Sequence, residues 1–74
     1  VQLAECRKDT SYIVQKMSLG LETNRRLQAL GVTKGTKITV LNRKKSGSVI
    51  FFVRGSRLAI GKEIAQALEV KESE

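Results

Sequence analysis

The chain has 74 residues, 41% of them hydrophobic, with fourteen Lys and Arg against seven Asp and Glu for a formal net charge of +7, and it contains no Pro and no His. A single domain over residues 1–74 is expected, with an ordered core over about 3–71, because a chain this short buries only about 60% of its unfolded surface in one small cluster. The lone Cys6 excludes an intramolecular disulfide framework, and no apolar run approaches the ~20 residues of a membrane span, so a reducing cytoplasm is the expected location.

From Ser11 to Met17 the run SYIVQKM is rich in β-formers and predicts a first strand. Leu27 and Leu30, three apart and followed by Gly31, predict a helix over about Thr23–Leu30. Gly31 closes it in the left-handed conformation and Val32 packs back on its last turn. The turn Thr33-Lys34-Gly35 leads to a second strand, TKITVLN, with Ile38 and Val40 on one face. Arg43 to Ser48 reads as an exposed hairpin loop, and VIFFVR as a central third strand covered on both faces, with Val49, Phe51 and Val53 opposite Ile50 and Phe52. Gly55-Ser56 predicts a type II′ hairpin turn into an antiparallel fourth strand, RLAI. Gly61 opens a short amphipathic helix, KEIAQAL, carried by Ile64, Ala67 and Leu68, and Val70 returns as a last short strand. The fold class is mainly β with two short helices, a small SH3-like, partly open antiparallel barrel.

Enzyme chemistry finds little support. Without His the commonest base and metal ligand are missing, and Cys6 has no partner to make it a nucleophile; it reads as a small buried residue. The acids Glu5, Asp9, Glu22, Glu63, Glu69, Glu72 and Glu74 are scattered, so no metal site, catalytic residue or cofactor is expected. The six glycines form no phosphate-binding run.

The excess of cations favours an acidic partner, whether nucleic acid, anionic lipid or protein, and it also serves solubility. Arg25 and Arg26 carry the sharpest signal. If Thr23 caps the first helix, they sit in its first turn against the dipole, which costs roughly 0.3–1 kcal/mol each. Retention for binding explains that placement; so does Arg26 laying its stem over the core edge. Arg54 and Arg57 flank the hairpin turn as partner contacts or as edge protection. Lys44 and Lys45 read as a solvated loop cluster, and Phe51, Phe52 and Tyr12 as core rather than as a base-stacking platform.

Two blocks, NRRLQALGVTKGTKITVL and VIFFVRGSRLAIGKEIAQALEV, together with the opening VQLAEC, resemble the FeoA family over nearly the whole chain. Lys34 stands where many relatives place Pro, and Asp9-Thr10 near a turn where Gly is usual; Asp tolerates left-handed geometry. The resemblance implies an SH3-like fold and a non-enzymatic accessory of ferrous iron transport that binds, and regulates, the GTP-binding cytoplasmic part of the membrane transporter FeoB. Partner contacts are then expected at Arg25, Arg26, Arg54 and Arg57. The alternatives are a small basic nucleic-acid-binding barrel and a detached barrel domain of an iron-dependent repressor, the latter lacking any preceding DNA-reading helix-turn-helix here.

Overall fold

The computed structural model describes residues 1–73, so Glu74, the last residue of the KESE tail, lies outside the described residues. A 3-10 turn over Leu3–Glu5 drops Leu3 and Cys6 into the core. There follow β1 (Ser11–Met17), α1 (Leu21–Ala29), β2 (Lys37–Arg43), β3 (Val49–Val53), β4 (Ser56–Ile60), α2 (Lys62–Ala67) and β5 (Leu68–Glu72). Every strand pairing is antiparallel, in the order β4-β3-β2-β1-β5. Register shifts between Val14 and Lys16 and between Val40 and Asn42 bend the sheet, since a bulge puts an extra residue into one strand and increases the local twist. The result is the SH3-like barrel the strand pattern predicts, open between its edge strands β4 and β5.

Alternation supplies the core. Tyr12 and Val14, Ile38 and Val40, Phe51 and Val53, and Leu68 and Val70 all face inward, joined by Leu27, Val32 and Ala65 from the segments that close the barrel. Asp9 takes a φ of 61°, the left-handed geometry that an Asx side chain accepts, and its N–H donates to the Val40 carbonyl at 2.7 Å.

Several expectations are corrected. α1 begins at Leu21, not Thr23, and its N-cap is Gly20 in extended conformation with no side-chain cap bond. Sequence reading looked for a Ser, Thr or Asp cap and took the nearest one. The helix stop is as expected: Val32 N–H donates to the Leu27 carbonyl and Gly31 N–H to that of Gln28, with Gly31 at φ 97° and Leu27 and Val32 both buried, which is a Schellman motif. β3 is flanked by strands on both sides but covered on one face, leaving Phe52 44% exposed. In the second helix the buried residue is Ala65, while Leu68 already starts β5.

The β3–β4 turn also differs from expectation. Val53 pairs with Ser56, so the loop is Arg54-Gly55, with φ of 48° and 84°, a type I′ rather than a type II′ turn. Either residue frame leaves Gly55 at positive φ. A Cβ there meets nothing within 4 Å, so Gly55→Val is strained by its backbone alone. A loss of at least about 1 kcal/mol is expected, read as a fall in melting temperature of roughly 4–8 °C; an unchanged midpoint would contradict the turn assignment.

Candidate cationic docking face

Ten of the fourteen Lys and Arg lie between Thr23 and Lys62, and none of the seven Asp and Glu does. In the fold this stretch runs from α1 through β2, β3 and β4, so one side of the sheet, β4-β3-β2, is free of carboxylates, while Glu5 and Asp9 lie in the N-terminal segment, Glu69 and Glu72 on β5, Glu22 in the first turn of α1 and Glu63 in that of α2. The charge is therefore segregated rather than spread. A field of that kind orients an approaching acidic surface and concentrates it over one face. The signal was present in the sequence and was missed because net charge was read as a sum.

On α1, Arg25 and Arg26 are both exposed, but the corrected helix start changes their meaning. Arg26 falls in the last turn, where the helix dipole favours a cation, so the predicted electrostatic conflict does not exist. What singles them out is their company. Leu21, 68% exposed, lies four residues before Arg25, and Leu30, 48% exposed, four after Arg26, so α1 presents apolar and cationic residues together on its free surface. Among its residues only Leu27 is fully buried. Neither arginine makes a salt bridge among the described residues.

Arg54 joins this surface from the β3–β4 turn. A Cβ built on Gly31 would lie 2.8 Å from Arg54 Cδ, so the Arg54 stem rests against the glycine that ends α1, a close approach only a residue without Cβ allows. The guanidinium is thereby held near the carbonyl end of the helix. Arg57 goes elsewhere: it stands opposite Phe52 on the outer face of the sheet. Of the predicted partner contacts, the fold thus gathers Arg25, Arg26 and Arg54 around α1 and puts Arg57 on an adjoining strand. The Lys62 stem packs on Gly47 at the base of the β2–β3 hairpin, whose exposed Lys44 and Lys45 add charge nearby. Arg43 has a structural task, its Nη1 donating to the Cys6 carbonyl at 3.0 Å.

The opposite side is electrostatically mixed. A depression of about 400 Å³ has Glu5, Glu72, Arg7 and Lys71 around Tyr12, two acids and two cations, which suits neither an anion nor a cation. Among the described residues, no three of Cys, Asp and Glu come together as a metal-binding group. Cys6 is 1% exposed, and burial pushes its thiol up to about 11 against the Tyr12 contact that lowers it. Burial leaves the thiol protonated at neutral pH. At pH 8 its thiolate fraction should be about 100-fold below that of the unfolded chain. Iodoacetamide labelling slowed by that order in native protein, relative to urea-unfolded protein, is the expected result; equal rates would mean Cys6 is accessible. Because the folded value lies above the unfolded one, the thiol's contribution to stability is complete below about pH 9 and is lost as pH rises toward 11.

The family model for the FeoA domain matches residues 1–72. The chain belongs to the FeoA family. A relative from Methanocaldococcus jannaschii, provisionally named Fe(2+) transport protein A, is 33% identical over 72 residues, covering 97% of this chain and 87% of that protein. A crystal structure of an iron uptake regulatory protein, FeoA, superposes with a TM-score of 0.89 at 33% identity, over 99% of this chain and 97% of that one. A manganese-dependent transcriptional repressor shares the fold, with a TM-score of 0.88 at 23% identity, over 99% of this chain but 41% of that one. FeoA proteins are small accessories of the Feo iron transport system, and among the described residues no helix is long and apolar enough to cross a membrane.

Proposed function

We propose that this FeoA chain is a non-enzymatic cytoplasmic adaptor that docks on an acidic patch of the GTP-binding cytoplasmic domain of a FeoB-type transporter. The contacts are Arg25 and Arg26 on α1, Arg54 over its C-terminus, and Arg57. The observation that carries this reading is charge segregation: ten cations and no carboxylate from Thr23 to Lys62, with the exposed Leu30 among them and the exposed Leu21 beside them on α1, where Glu22 is the one acid. Exposed apolar side chains among cations suit a protein surface, which offers both acidic and apolar contacts, better than a phosphate backbone.

The rival nucleic-acid barrel is favoured by the same charge, yet aromatic stacking platforms are the usual partner of such charge, and Tyr12 and Phe51 are buried, leaving Phe52 as the one exposed aromatic ring. Calorimetric titration of the transporter's cytoplasmic domain tests the docking. Binding that weakens as salt is raised from about 50 to 300 mM is expected for an interface steered by exposed cations. Absence of binding at low salt would end the proposal.

A further inference from the structure

β4 is the terminal strand on the carboxylate-free side of the sheet. Its hairpin closes through a two-residue type I′ loop, which makes Val53 and Ser56 a hydrogen-bonded pair and fixes the alternation from there. Phe51 and Leu58, then Val49 and Ile60, are hydrogen-bonded pairs; Phe52 with Arg57 and Ile50 with Ala59 are the other kind. The N–H and C=O groups of Arg57 and Ala59 therefore point away from β3. Neither residue has another backbone or side-chain hydrogen bond among the described residues, and both are exposed. This is an open strand edge, long enough for one short segment. Beside it runs a row across the outer face, Arg57 opposite Phe52 and Phe52 opposite Thr39, with the exposed aromatic ring in the closer-spaced type of pair with the guanidinium.

Exposed edges usually invite self-association, but the charges around β4 select against a second copy. Arg54 precedes the strand, Arg57 is in it and Lys62 follows it, and the strand itself holds no carboxylate, the nearest being Glu63 on α2, so antiparallel pairing of two copies would bring the strand's cations together. The same cations favour a segment carrying carboxylates. From the unpartnered edge groups and this charge complementarity, we infer that β4 takes up an extended acidic peptide segment of a partner protein as an added strand. The segment exchanges main-chain hydrogen bonds with Arg57 and Ala59, its carboxylates meet Arg54, Arg57 and Lys62, and an apolar side chain rests on Phe52. The inference extends the docking reading to the form of the partner's contact.

The probe is an acetylated, amidated peptide of alternating Glu and Val, eight residues long, so no transporter is involved and the two readings fail separately. Amide resonances of Arg57 and Ala59 should shift and their hydrogen exchange should slow on titration. A peptide of the same sequence, N-methylated at alternate residues on its pairing edge, should bind at least about 10-fold more weakly, because main-chain donors carry the pairing. Ala59→Pro removes an edge donor from a strand that uses it for nothing else, and it should likewise cut binding at least about 10-fold with the fold retained. If that variant does not fold, the N-methylated peptide on the unaltered protein decides alone. Equal binding of methylated and unmethylated peptides, or shifts confined to arginine side chains, would overturn the inference. So would no detectable binding at millimolar peptide, or an oligonucleotide reproducing the Arg57 and Ala59 amide shifts.

Discussion

Phe51→Ala is expected to cost about 3–5 kcal/mol, the cost of removing a fully buried ring together with the cavity left behind. Domains of this size have only roughly 4–11 kcal/mol in total. The variant should therefore melt at least about 12 °C lower, or be substantially unfolded at 25 °C. Phe52→Ala, one residue on, should cost less than about 1 kcal/mol, because that ring is already 44% exposed. Urea unfolding of both variants measures the contrast. Similar losses would mean that the two faces of β3 are not divided as described.

The division was only half legible in the sequence. The run of β-formers from Val49 to Val53 identified the strand, and the period of two its faces, but with Ile50 and Phe52 apolar on the second face as well, composition alone predicted cover on both sides. What leaves it open is topology: α1 and α2 close the core from the inner side, where Leu27 and Ala65 are buried, and no element covers Phe52. Turn frame was misjudged for a related reason. Gly at positive φ identifies a tight turn without saying whether it is the first or second loop residue, and Arg54 at φ 48° was not a residue that announces left-handed geometry. Local chemistry with a single solution, such as Gly31 ending α1 with Val32 packed behind it, was read correctly. The candidate arginines were legible as exposed cations, but not their grouping, since nothing in sequence brings Arg54 onto Gly31.

The corrected helix start also changes how the docking face is probed. Arg26→Glu would put an anion in the last turn of α1 and opposite Glu22 at i, i−4, both unfavourable by several tenths of a kcal/mol, so charge reversal confounds binding with stability. Neutralisation avoids this. Arg25→Gln with Arg26→Gln keeps helix propensity and stem packing, and is expected to leave melting within about 0.5 kcal/mol of the parent protein. It should weaken binding to the transporter's cytoplasmic domain at least about 10-fold at low salt, chiefly by slowing association. Lys44→Ala with Lys45→Ala removes the same charge from the hairpin loop and should weaken it less. Equal effects would indicate a response to net charge rather than to the α1 surface.

Titration of the transporter's cytoplasmic domain and of a single-stranded oligonucleotide, each against the parent protein and both double variants at two ionic strengths, tests the central claim most directly. Specific docking predicts a complex with the transporter domain that depends on Arg25 and Arg26 more than on Lys44 and Lys45. It also predicts that any binding to oligonucleotide responds equally to both pairs, as sequence-independent phosphate contacts do. A parent protein that binds the oligonucleotide and leaves the transporter domain untouched would contradict the adaptor function.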